Sequence, residues 1–201
     1  QFVEQGLCNA DKIRVVDHKE IFSGYEQHLP TFNTRSIESM LWNIPGLSEY
    51  FIYLNDDFFF NNLAKIEDFL QARQVVVYGH WENSFVLKAK LKYRQFLNSK
   101  FGKPIQPKHM IAQMLSADIL GMNRFFEIHH YPHIVDRKIL SEYFLTQPEL
   151  LETQIKFKFR SVDQVNPITL MNHLKIQKNQ ANLQPDIDLA YLKNEQSVDA
   201  F

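Results

Sequence analysis

Apolar positions in this chain change period several times, and each change marks an element. Ile13-Arg-Val-Val-Asp17 is β-branched and stops at a polar pair, which predicts a short strand. Leu29 to Thr34 follows as a loop, with Asn33 or Thr34 placed to cap a helix. Ile37, Met40, Leu41 and Ile44 then recur at i, i+3, i+4, i+7, one apolar stripe that Pro45-Gly46 ends. Glu38 lies about 100° round from Ile37, at the border of that stripe, and so is expected to point along a cleft. Phe51 to Leu54 reads as a buried strand without alternation, the mark of a covered, parallel sheet. Further on, Val135, Ile139, Leu140, Tyr143 and Phe144 predict a helix ending near Pro148, and Ile168, Met171 and Leu174 another. From about Gln177 the chain is rich in Asn and Gln and predicts no element. The fold expected is α/β, a mostly parallel, Rossmann-like sheet flanked by helices, in one domain over residues 1–201.

Composition narrows the class. The chain has 201 residues, 45% of them hydrophobic and 22% charged, with formal net charge −1, which gives no global field for nucleic acid. Cys8 is the one cysteine, so no internal disulfide framework exists, and a reducing, cytoplasmic setting is expected. No apolar run approaches a membrane span, and no leader precedes Gln1, as in a segment of a longer protein. Six glycines and no glycine-rich phosphate motif argue against dinucleotide and P-loop sites.

The densest chemical signal is Asn55-Asp56-Asp57, set between Phe51-Ile-Tyr-Leu54 and Phe58-Phe-Phe60. Two readings stay open. Asn and Asp favour turns by bonding their own backbone. Yet aromatic runs on both sides hold these carboxylates beside a core, where charge is costly unless compensated, and Mg²⁺ or Mn²⁺ bridging to a phosphate compensates it well. The place agrees, since ligands of open α/β sheets gather beyond the carboxyl ends of strands.

Other candidates are weaker alone. Residues 78–108 form an expected helical basic insertion, and between Asn83 and Ala117 no acid occurs while lysines interleave with Phe85, Leu91, Tyr93 and Phe96. That pattern is either a solvated helical face or a surface for an anionic polymer or membrane leaflet. His130 and His133 flank a proline, but no second ligand pair stands at zinc spacing. Arg160, between Phe159 and Val162, reads as a pinned guanidinium suited to phosphate, and Asp163 either orients it or caps the next helix.

Together these segments resemble a known family. Val16-Asp-His-Lys-Glu-Ile-Phe22, Leu29-Pro-Thr-Phe-Asn33, Ile37-Glu-Ser39, Gly46-Leu-Ser48 and Phe51-Ile-Tyr-Leu-Asn-Asp-Asp57 are similar to the second conserved region of the Stealth proteins. His130-Tyr-Pro-His-Ile-Val-Asp-Arg137 resembles the third region and Arg160-Ser-Val-Asp163 the fourth. The family's first region, a Tyr-Thr-Trp-Val-Asp-like motif, has no counterpart here. The resemblance implies transfer of a hexose-1-phosphate from a nucleotide sugar, typically a UDP-sugar, to a hydroxyl of a growing polysaccharide. It implies a divalent metal at Asp56 and Asp57 with Glu38 nearby, and catalytic or phosphate-contacting roles for Asp57, His130 and Arg160. Asn55, His133, Asp163 and Arg35 are expected to bind substrate. The rival expectations are a metal-dependent glycosyltransferase and a non-catalytic fragment that binds polysaccharide or the inner face of the membrane through the basic segment.

Overall fold

The computed structural model describes residues 9–55, 58, 60 and 62–189. In chain order these give α1 (His18–Ile21), α2 (Thr34–Met40), β1 (Tyr50–Tyr53), β2 (Leu70–Gln71), β3 (Gln74–Tyr78), β4 (His80–Asn83), α3 (Ser84–Phe101) and α4 (His109–Asp118). Then follow β5 (Arg124–Glu127), β6 (His133–Asp136), α5 (Arg137–Thr146), α6 (Pro148–Ile155), α7 (Pro167–Gln177) and β7 (Ala181–Gln184).

The fold is mixed α/β, but the expected parallel sheet is not what the described residues form. β1 pairs antiparallel with β6 and β4 antiparallel with β5, while β3 is flanked by antiparallel β2 and parallel β7. The period of β1 misled because its aromatic residues are half covered, with Ile52 39% exposed, rather than sealed on both faces. Ile13–Asp17 forms no strand: Val15 points to solvent, and Asp17 caps α1 by accepting from Lys19 N at 2.8 Å. Without a strand to pair with, β-branched residues do not make one. Conversely, β7 arises from the Asn- and Gln-rich stretch because its backbone completes β3.

The centre of the molecule is α7. Asn166 caps it through Thr169 N at 2.8 Å and Pro167 opens it. Every residue from Pro167 to Lys175 is buried, as a helix surrounded by other elements requires. Leu170 and Met171 meet Phe22, Met40, Val75, Leu140, Phe144 and Leu151 in the main core. Some of its polar groups are matched: His173 Nε2 accepts from Phe126 N at 2.9 Å, and Lys175 pairs with Asp136, which also caps α5, while Asn172 Nδ2 and His173 Nδ1 have no hydrogen-bond partner among the described residues. A smaller cluster of Leu91, Ile111, Met114, Ala117 and Phe125 seats α3 and α4. On α3 only Ser84 and Leu91 are buried, leaving Phe85, Tyr93, Phe96 and Phe101 exposed among the lysines. Of the segment 78–108 expected to be helical, Ser84–Phe101 forms α3, while His80–Asn83 forms β4.

Candidate active site

Chain segments far apart in sequence meet around one cavity of about 510 Å³. α2 supplies Arg35 and Glu38, the end of β1 supplies Tyr53 and Asn55, and the β5–β6 connection supplies His129, His130 and His133. His109 comes from the start of α4, and Arg160 from the connection between α6 and α7.

The first anchor is local to α2. Asn33 caps the helix through Arg35 N at 3.2 Å, and its amide nitrogen donates to Phe157 O, Phe159 O and Gln164 Oε1. Gln164 in turn accepts from Ser161 N at 2.8 Å and donates to Gln154 O at 2.6 Å. This buried amide network fixes the loop carrying Arg160 against the start of α2. Arg160 then needs one contact to be oriented: its Nε and Nη2 donate to Thr34 Oγ1 at 3.2 and 2.8 Å. Arg35 is used differently. It is buried, and its guanidinium donates to Ser161 O, Pro107 O and Lys108 O at 3.0–3.2 Å. Burial, reinforced by the Arg160 charge, lowers its pKa to about 10, still protonated at neutral pH.

A chain of side chains crosses the cavity wall. Tyr53 Oη lies 2.8 Å from Glu38 Oε1 and 2.7 Å from Asn55 Oδ1, and Asn55 Nδ2 lies 3.1 Å from His130 Nε2. Glu38 Oε2 is buried with no hydrogen-bond partner among the described residues. Burial raises the Glu38 pKa, against the hydrogen bond from Tyr53 and the charges of Arg160 and Arg35. Because the phenol has one hydrogen for two oxygen acceptors, the chain has two self-consistent arrangements. With Glu38 protonated, protons point from Glu38 to Tyr53, from Tyr53 to Asn55 Oδ1, and from Asn55 Nδ2 to His130 Nε2. With Glu38 ionised and the Asn55 amide reversed, Tyr53 donates to Glu38 and His130 Nε2–H donates to Asn55. The protonation of Glu38 is thus linked, through Tyr53 and Asn55, to the hydrogen bond at His130 Nε2.

The rest of the site is cationic or neutral imidazole. Burial lowers the pKa of His133 to about 3 and of His109 to about 4, with neighbouring positive groups adding to both. His133 packs on Tyr131 with ring centroids 4.1 Å apart, and His130 on Phe58 at 4.7 Å.

Of the residues expected at the site, Glu38, Asn55, His130, His133, Arg35 and Arg160 line this cavity. Asp56 and Asp57 lie outside the described residues. Asp163 exchanges hydrogen bonds with Ser161 rather than orienting Arg160, and Asn166 rather than Asp163 caps α7. Sequence reasoning missed Tyr53 as a bridge, and His109, which α4 delivers from the basic segment with no local signal. It also missed two groups with metal-ligand geometry, His80 with His129 and Asp186, and His80 with Glu82 and Glu127.

Fold and site define a mixed α/β domain whose arginine- and histidine-lined cavity suits a phosphorylated ligand. Residues 6–78 match the family model described as Stealth protein CR2, conserved region 2, and the chain belongs to the Stealth family. It is 28% identical to the exopolysaccharide phosphotransferase SCO6023 of Streptomyces coelicolor, over 90% of this chain and 29% of that one. It is 27% identical to the receptor polysaccharide phosphotransferase WefC of Streptococcus gordonii, over 79% of this chain and 52% of that one. With the capsular polysaccharide phosphotransferase LcbA of Aeromonas hydrophila the identity is 30%, over 73% and 35%. The chain thus spans between 29% and 52% of the length of these three relatives.

Proposed function

We propose that this domain carries the acceptor-activating part of a sugar-1-phosphate transferase active site. It would move a hexose-1-phosphate from a UDP-sugar to a hydroxyl of a growing capsular polysaccharide. The observation that carries this reading is the Glu38–Tyr53–Asn55–His130 chain, set beside Arg160 in one cavity. With Glu38 ionised, His130 holds its lone pair on Nδ1 and accepts the proton of the incoming hydroxyl. That oxygen bonds to the sugar-bearing phosphorus, the bridging P–O bond breaks, and UMP leaves. Arg160, steered by Thr34, neutralises charge on the phosphoryl oxygens, while His133 stays neutral and hydrogen-bonds substrate. Arg35 and Asp163 act through the loop they hold.

Mg²⁺ or Mn²⁺ fits the donor set: a buried Glu38 oxygen, unpartnered among the described residues, lies on the cavity wall formed in part by Asn55, which directly precedes Asp56 and Asp57. The ion would be held by Asp56 and Asp57 and would supply charge compensation for the diphosphate. The exposed aromatic and basic face of α3 supports peripheral contact with the anionic inner leaflet; among the described residues no helix is long and apolar enough to cross a membrane.

Incubating the full-length protein with a panel of UDP-sugars, Mg²⁺ and an oligosaccharide acceptor tests the reaction. UMP release with a phosphodiester product is expected. UDP release would make it a glycosyltransferase. Function indifferent to Asp57→Asn and His130→Ala would make it a binding module.

A further inference from the structure

Beside the cavity, and independent of the reading above, the structure assembles a second group of ligand atoms. His80 opens β4, His129 precedes His130, and Asp186 lies two residues beyond β7. Asp186 turns one carboxylate oxygen to each imidazole, Oδ2 to His80 Nδ1 at 2.7 Å and Oδ1 to His129 Nε2 at 3.2 Å. One ligand atom from each of the three lies within 4.8 Å of the others. Around a first-row metal, ligand atoms about 2.0–2.2 Å from the ion stand roughly 3 Å apart, so small side-chain shifts close this group on an ion.

Two further features point the same way. The far nitrogen of His80, Nε2, faces Glu82 Oε1 at 3.4 Å and Glu127 Oε2 at 3.8 Å. Metal-bound histidines commonly donate their second N–H to a carboxylate, which fixes the ring and its tautomer. Charge also lacks balance: three carboxylates converge on two imidazoles, and no lysine or arginine pairs with them among the described residues. We propose that His80 Nδ1, His129 Nε2 and Asp186 form a divalent transition-metal site, selective for Zn²⁺ over Mg²⁺, with Glu82 and Glu127 orienting His80. Imidazole ligands favour zinc-like ions over hard Mg²⁺. The bound ion would clip the segment after β7 to the β5–β6 connection and fix His129 at the cavity wall. Sequence spacing hides such a site, since its ligands come from three distant segments.

The test uses the full chain, stripped with chelator and titrated with Zn²⁺ in excess Mg²⁺ at pH 7.5. One Zn²⁺ per chain is expected, with a rise in Tm. His80→Gln and Asp186→Asn should each weaken binding at least ~10-fold and abolish the Tm rise, whereas Asp57→Asn should retain both. X-ray absorption at the zinc edge of the wild-type protein needs no variant and should count two imidazoles in a nitrogen and oxygen shell. No saturable Zn²⁺ binding, binding unchanged in His80→Gln and Asp186→Asn, or a shell lacking imidazole would overturn the assignment and leave an ion-paired cluster only.

Discussion

Replacing Tyr53 with Phe removes one oxygen and keeps the ring, so it isolates the bridge between Glu38 and Asn55. In the wild-type protein that hydroxyl touches both neighbours at 2.7–2.8 Å. Its loss leaves Glu38 with neither oxygen bonded among the described residues, since Oε2 has no partner to begin with. A hydrogen bond to a charged group contributes about 1.5–3 kcal/mol, so kcat/KM should fall roughly 10- to 150-fold. The sign on pH follows from the carboxyl group. Tyr53 is the strongest influence lowering a pKa that burial has raised, so without it the Glu38 pKa rises further. Ionised Glu38 is the form that arms His130, and more alkaline solution is then needed to reach it.

The assay is nucleotide release by the full-length protein across pH 5.5–9, with the acid limb expected at higher pH in Tyr53→Phe. Glu38→Gln gives an internal check. Its carboxamide keeps a hydrogen-bond partner for Tyr53 but carries no charge, so it removes the ionisation while leaving the bridge in place. If the chain acts as a unit, the double variant should lose little more than the worse single one, an interaction of about 1–3 kcal/mol. Wild-type kcat/KM and an unmoved acid limb in Tyr53→Phe, or strictly additive losses, would refute the coupling.

His173 is fully buried with its pKa lowered to about 4 by that burial, against 6.5 for an ordinary imidazole. Below neutrality the unfolded chain binds the extra proton, so stability falls with pH, by about 2 kcal/mol at pH 5 from this group. His173→Gln should flatten the stability–pH slope in urea unfolding between pH 7 and 5. Asn33→Ala removes the cap of α2 and the tie to Gln164, and should cost about 2–3 kcal/mol in the same assay while freeing the Arg160 loop to proteolysis. Arg160→Lys should leave Tm within about 2 °C yet cut kcat/KM by ~10²-fold or more, whereas Arg35→Lys should lower Tm by several degrees, because only a planar fork serves its three carbonyls.

What the sequence made legible was local. Asn33 as a cap, the Ile37–Ile44 stripe with Glu38 at its border, Pro148 as a helix boundary and the α7 pattern all rest on spacing within a turn or two, and the structure contains each of them, although α2 stops at Met40 and a 3₁₀ turn carries the stripe onward. What failed depends on partners. Residues 13–17 have the composition of a strand and nothing to pair with, while Ala181–Gln184 lacks that composition and pairs with β3. Strand direction failed for the same reason, since an aromatic run looks alike beside a parallel or an antiparallel neighbour. His109, His80 and Asp186 reach the cavity or its edge only through tertiary packing, and no short-range period marks them.

The two arginines show why residue type alone does not assign a role. Arg160 is expected at a phosphate and Arg35 at the substrate, and both line the cavity. Arg35 commits its guanidinium to carbonyls of the Arg160 loop and of the segment leading into α4, the segment that delivers His109. A buried guanidinium so engaged has little capacity left for a ligand, and its work is to hold two walls of the cavity together. Arg160 is held through a single hydroxyl, on a loop already fixed by Asn33 and Gln164, so its orientation is set by the scaffold and its donors remain for an anion. The site thus separates construction from recognition along α2. Asn33, Arg35 and Ser36 face the loop that they brace, while Thr34 and Glu38, on the cavity side, steer the groups that meet the ligand.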